Sequence, residues 1–128
     1  MSDLTDSWFF LAVARSDGGS LEAFVATADA INHVVPEYAE VSDSLSRLVG
    51  AGLITCHADA LSLTTAGHAL FGFLGGAAQT SIAQVTASRA AVSSAVARAL
   101  PVATAEIVTR ERYSAALAAY VSRASQLR

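Results

Sequence analysis

The chain has 128 residues, 53% of them hydrophobic and 15% charged, with a net charge of −3. That length suits one domain or a domain with an appendage, needs no metal or disulfide to fold, and at this composition excludes a disordered chain. The charge is split: residues 1–76 hold Arg15 and Arg47 against nine acids, a net of −7, and residues 77–128 hold six arginines against Glu106 and Glu111, a net of +4.

The polar, acidic start "MSDLTDS" does not read as a signal peptide. Thr5 and Asp6 are candidate N-caps for a first helix over "SWFFLAVA". Trp8, Phe9, Phe10 and Leu11 point all round such a helix. It must then be covered on more than one side, by the C-terminal segment or by a second subunit. "SDGG" (16–19) is a turn, and Ser20 caps a second helix with Leu21, Phe24, Val25, Ala28 and Ile31 on one side. Val35 is pushed out of helical geometry by Pro36, the expected first residue of a third helix. There Tyr38, Val41, Leu45, Leu48 and Val49 form the apolar stripe. Glu37, Glu40, Asp43, Ser44 and Arg47 are expected on the opposite face. Glu37 and Glu40 suit the positive end of the helix dipole, and Asp43 and Arg47 have the spacing of an ion pair. "GAG" (50–52) ends the helix.

Leu53–His57 and Leu61–Thr64 read as two short strands around "ADA" (58–60), with Ile54, Cys56, Leu61 and Leu63 alternating with polar neighbours. Thr64 or Thr65 caps a short helix through Leu74, and Gly75-Gly76 marks a boundary. Residues 69–88 carry no charge, but six polar side chains and three glycines leave them too polar for a membrane span. Residues 78–100 read as a long helix with the stripe Ile82, Val85, Val92, Val96 and Leu100, interrupted by Arg89, which snorkels to water or pairs across an interface. Thr109 caps a last helix with Tyr113, Leu117, Tyr120, Ala124 and Leu127 on one face.

Catalytic and metal chemistry find no constellation. Asp29 and His33 lie four apart on one side of the second helix; Asp29 orienting His33 accounts for them better than a metal, for which two ligands are too few. Cys56 and His57 point to opposite faces of a strand and cannot share an ion. Cys56 is the only cysteine, which fits a reducing cytoplasm. "GFLGG" (72–76) has neither phosphate-loop spacing, and there is no GxSxG elbow. No enzyme, cofactor or metal is expected.

The order helix, helix, helix, hairpin, helix over residues 5–74 resembles the winged helix-turn-helix superfamily. "LSRLVGAGLI" (45–54) looks like a recognition helix entering a wing strand, and "LSLTTAGHAL" (61–70) is similar to the second wing strand and next helix of PadR- and MarR-type regulators. The resemblance implies an α+β, mostly helical fold: a winged helix-turn-helix domain over 1–76 with a short two-stranded wing, and a C-terminal helical extension over 77–128 that packs or dimerises. It also implies that Glu37, Glu40, Asp43, Ser44 and Arg47 face the major groove, with Ala58, Asp59 and Ala60 at the wing tip.

The charges oppose that role, because DNA affinity rests largely on Lys and Arg neutralising phosphates. The expectation is therefore a regulatory or protein-interaction module, homodimeric, whose third helix does not read DNA. A dimeric PadR/MarR-like DNA-binding regulator is the alternative. Trp8, Phe9, Phe10, Arg89, Tyr113, Leu117 and Tyr120 are the expected packing or dimer residues. Arg110, Arg112 and Arg123 form a solvated face or attract the acidic first segment of the same or a neighbouring subunit.

Overall fold

The computed structural model describes residues 2–58, 60–75, 82–98 and 108–126. They form α1 (Ser2–Arg15), α2 (Leu21–Asn32), α3 (Tyr38–Gly50), β1 (Ile54–His57), β2 (Ala60–Leu63), α4 (Thr65–Phe73), α5 (Ile82–Ala97) and α6 (Arg110–Gln126). The chain is mostly helical with a small antiparallel two-stranded sheet. Among the described residues no helix is long and apolar enough to cross a membrane.

The first helix forms the centre of the molecule. From Trp8 to Val13 no residue is more than 5% exposed, and α2, α3, α4, α5 and β2 all pack on α1, α5 most extensively. Of the two covers that an all-round apolar helix allows, α5 of the same chain is the one observed. Polar contacts set its rotation. The Ser7 hydroxyl donates to the Val85 carbonyl at 2.8 Å, and the Trp8 indole N–H donates to the Ala28 carbonyl at 2.9 Å. A buried indole needs such an acceptor. Asp6 is not the N-cap expected of it: α1 begins at Ser2, which places Asp6 inside the helix with its carboxylate turned inward.

The face that α5 offers to α1 differs from the expected stripe. Val85, Ser88 and Val92 are buried and Arg89 is exposed. The spacing of three and four residues admits Ser88 to the contact and rotates Arg89 out to water. The side chain of Ile82 and residue Leu100, expected in that stripe, lie outside what is described.

Ser20 caps α2, its hydroxyl oxygen accepting from the Ala23 N–H at 3.2 Å. The helix closes on His33, whose φ of 57° is left-handed and whose N–H donates to the Asp29 carbonyl. A non-glycine residue is strained there. His33→Gly, at an exposed position, is expected to raise stability by about 0.5–1 kcal/mol in urea denaturation.

The hairpin pairs Ile54 with Leu63, Thr55 with Ser62, Cys56 with Leu61 and His57 with Ala60. The α1–α2 turn adds a third edge: the Gly18 N–H donates to the Leu61 carbonyl at 2.9 Å and the Leu61 N–H to the Gly19 carbonyl at 3.1 Å. Asp17 completes the join, accepting from the Leu63 N–H at 2.8 Å and lying 3.1 Å from His68 Nε2. The Thr64 hydroxyl oxygen accepts from the Gly67 N–H at 3.0 Å and its proton goes to the Gly52 carbonyl, so one threonine ends the hairpin and starts α4.

The last helix docks on α2 and on the α2–α3 turn. All three tyrosines of the chain meet there. Tyr38 donates to the Val108 carbonyl at 3.0 Å, Tyr113 to the Pro36 carbonyl, and Tyr120 to the Asp29 carboxylate. Arg110 stacks 4.6 Å above the Tyr38 ring, and Arg123 pairs with Glu22 at 3.0 Å. The Asp29 carboxylate thus serves Tyr120, not His33 as its spacing suggested; the left-handed turn at His33 carries that imidazole to the surface.

Tyr113 is 2% exposed, and burial, then the Glu40 carboxylate, pushes its phenol up to about 12 from the ordinary 10.0. The folded state holds a proton that the unfolded chain releases near pH 10. The stability so conferred is complete below that pH and lost as pH rises to about 12. Urea titrations across this window are expected to show a loss of about 2–3 kcal/mol that Tyr113→Phe removes.

Candidate functional site

The residues expected to face outward on α3 divide into two groups. Ser44 lies three residues after Val41 and four before Leu48, so the helical repeat puts it on their side, and it is fully buried. Its hydroxyl donates to Asp6 Oδ1 at 2.6 Å. Arg47, three residues further on, grips the same carboxylate: Nε donates to Oδ2 at 2.9 Å and the terminal nitrogen to Oδ1 at 2.9 Å. The Asp6 side chain is 4% exposed and the Arg47 side chain 36%. Arg47 therefore pairs across to α1, not along its own helix to Asp43. A fork on a buried carboxylate makes two aligned charged bonds, which an exposed aspartate does not match.

Glu37, Ala39 and Asp43 are exposed, and Glu40, Ser42 and Ser46 are half-buried. Glu37 is the N-cap and Glu40 Oε1 accepts its N–H at 3.3 Å, so these two carboxylates hold the start of the helix. Pro36, expected as the first helical residue, sits just before the cap. The outer face is then built of Ala39, Ser42, Asp43 and Ser46: small, polar and without a cation. Reasoning from sequence missed Ala39, Ser42 and Ser46. Placing Ser44 in the buried stripe with Val41, Leu45 and Leu48 would have found them.

The hairpin turn adds no cation. Ala58 is exposed at φ 49°, and Ala60 is half-buried and paired with His57. Asp59 lies outside the described residues. Trp8, Phe9 and Phe10 are interior, Tyr113 is buried, Leu117 and Tyr120 are half-buried beside α2, and Arg89 is exposed on α5. His33, His57 and His68 are all exposed, and among the described residues no group of three His, Cys, Asp or Glu side chains is placed to hold a metal. Cys56 is half-buried against the core, on the side of β1 opposite to His57.

One depression of about 360 Å³ is lined by Arg15, Ala26, Thr27, Ala30 and Ile31. Burial lowers the pKa of the Arg15 guanidinium, and the Thr27 hydroxyl is already donated to the Ala23 carbonyl at 2.8 Å. This lining offers no acid–base pair and no activated nucleophile.

The positive C-terminal half is drawn partly onto the acidic first half, through Arg123 on Glu22 and Arg110 on Tyr38. No family model, curated protein or solved structure matches this chain.

Proposed function

We propose that the chain is a non-enzymatic winged-helix protein that works as a regulatory or protein-interaction module, and that its acidic third helix does not read DNA. The observation that carries this reading is the Asp6–Ser44–Arg47 cluster. Arg47 is the only cation of α3, and its guanidinium is committed to a buried carboxylate of α1. What α3 turns outward is Ala39, Ser42, Asp43 and Ser46, beside Glu37, a face that repels phosphate. Support for the winged-helix assignment comes from the element order through α4, the backbone pairing of Gly18 and Gly19 with Leu61, and the Thr64–Gly67 join. A homodimer belongs to the same proposal, and Phe73, 83% exposed on α4, is an aromatic that a lone copy leaves in water.

The second reading is a dimeric PadR/MarR-like regulator that holds DNA through arginines of the C-terminal half. The exposed Arg89, Arg98, Arg110 and Arg112 favour it. Fluorescence anisotropy with a random-sequence duplex at low and moderate salt separates the two. Under the interaction-module reading no salt-sensitive binding develops and Arg47→Ala changes nothing. Salt-sensitive binding that weakens when those arginines become alanine would replace it with the regulator.

A further inference from the structure

We infer that the depression between the end of α1 and the middle of α2 binds a short aliphatic carboxylic acid, with the carboxylate on Arg15 and the chain along Ala26, Ala30 and Ile31. The inference goes beyond the interaction module proposed above and needs neither its fold family nor a dimer.

Size sets the class of ligand. About 360 Å³ lies within the range of small-molecule sites. Helical geometry shapes the hollow, because positions 26, 27, 30 and 31 are three to five apart and share one side of α2. Ile31 is buried, Ala26 and Thr27 are half-buried and Ala30 is exposed, so an apolar floor is covered and one side opens to water. Alanine at 26 and 30 is what leaves room, since a longer side chain there would fill the space. From Ala26 to Ile31 the axis rises about 7.5 Å, a length that suits a chain of about six carbons. Among the described lining residues there is no aromatic ring to stack on, which favours a flexible chain over a planar ring.

Charge sets which end of the ligand goes where. Arg15 is the one ionisable side chain among the described lining residues. Its planar guanidinium presents paired N–H donors that match the two oxygens of a carboxylate. Burial lowers its pKa, which shows that its surroundings already weaken its hydration. An anion beside it recovers part of that loss. The carboxylates that flank these residues in the chain are held elsewhere: Asp17 by the Leu63 N–H and His68, Glu22 by Arg123, and Asp29 by Tyr120. None of the three lines the depression to repel the ligand. Thr27 has given its hydroxyl proton to the Ala23 carbonyl, so it does not compete with Arg15 for the carboxylate.

The test is a heteronuclear NMR titration of the full chain with hexanoate and, separately, with hexanol. Hexanoate should give saturable shifts at the Thr27, Ala30 and Ile31 amides and at Arg15 Nε–H. Affinity should rise about two-fold for each CH₂ added from butanoate to octanoate, half of what full burial of a CH₂ gives. Hexanol should bind about five- to ten-fold more weakly than hexanoate, because it lacks the charge-assisted fork. Arg15→Gln should bring hexanoate down to the level of hexanol and leave hexanol unchanged. Ala30→Leu, at an exposed helical position that takes leucine without strain, should fill the hollow and weaken both ligands at least about ten-fold. Equal binding of acid and alcohol to the wild type overturns the role of Arg15, a comparison that needs no variant to fold. No saturation with octanoate, or shifts scattered over the whole surface, overturns the site itself.

Discussion

Gly67→Ala is expected to cost about 3–5 kcal/mol, read as a shift of the urea midpoint with an unchanged slope. A Cβ at Gly67 would stand 2.1 Å from the Leu53 carbonyl oxygen and 3.2 Å from Leu63 Cβ. The nearest atom is backbone, and it is held: Leu53 C=O accepts the Thr64 N–H at 3.0 Å where the hairpin closes. It cannot swing aside like the tip of a flexible side chain. Alanine favours helix over glycine by about 1 kcal/mol, so propensity alone predicts a gain and the clash reverses it. Gly72→Ala is the matching control. It lies in the same helix with nothing within 4 Å of its Cβ, and is expected to be neutral or stabilising by up to about 1 kcal/mol. Equal effects at the two positions would sink the argument.

Asp6→Ala should cost about 2–3 kcal/mol. Removing one partner of a buried ion pair typically costs about 3–5 kcal/mol because the other charge stays behind; Arg47 reaches solvent, which places this case at the low end. The Ser44 hydroxyl, fully buried, also loses its acceptor. Replacing both charged partners, as in Asp6→Leu with Arg47→Met, should recover much of the loss, since no lone charge remains. A double-mutant cycle in urea checks this: a coupling near zero would mean that the cluster holds nothing together. The same variant bears on function, because Asp6→Ala frees the single cation of α3. If the latch is what silences this helix, weak, salt-sensitive DNA binding should appear in the variant and not in the wild type.

Much of this arrangement was legible from the residues. Ser20 and Thr64 were readable as caps because their side chains act on backbone three residues away. The hairpin alternation follows from period-two patterning, with Ile54, Leu61 and Leu63 buried. Trp8 to Leu11 announced a helix covered on several sides, though not by which segment. What could not be read were contacts between residues far apart in the chain. Asp6 and Arg47 are 41 positions apart, and no local spacing selects Asp6 over Asp43. Tyr120 and Asp29 are 91 apart, so the nearer His33 looked like the partner. The outer face of α3 turns on a single residue. Ser44 is polar, which suggests the solvent side, but helical geometry places it inside and Asp6 supplies the acceptor that makes its burial tolerable.

The central position of α1 has a consequence for how the molecule is made. The Ser7–Val85 bond joins residues 78 apart, so the helix translated first is covered by one translated much later. At synthesis rates of roughly 5–20 residues per second, Trp8, Phe9 and Phe10 wait about 4–16 seconds for α5 to emerge. Such long-range closure also slows folding in solution. The lone tryptophan, buried in the finished fold, reports when that wait ends.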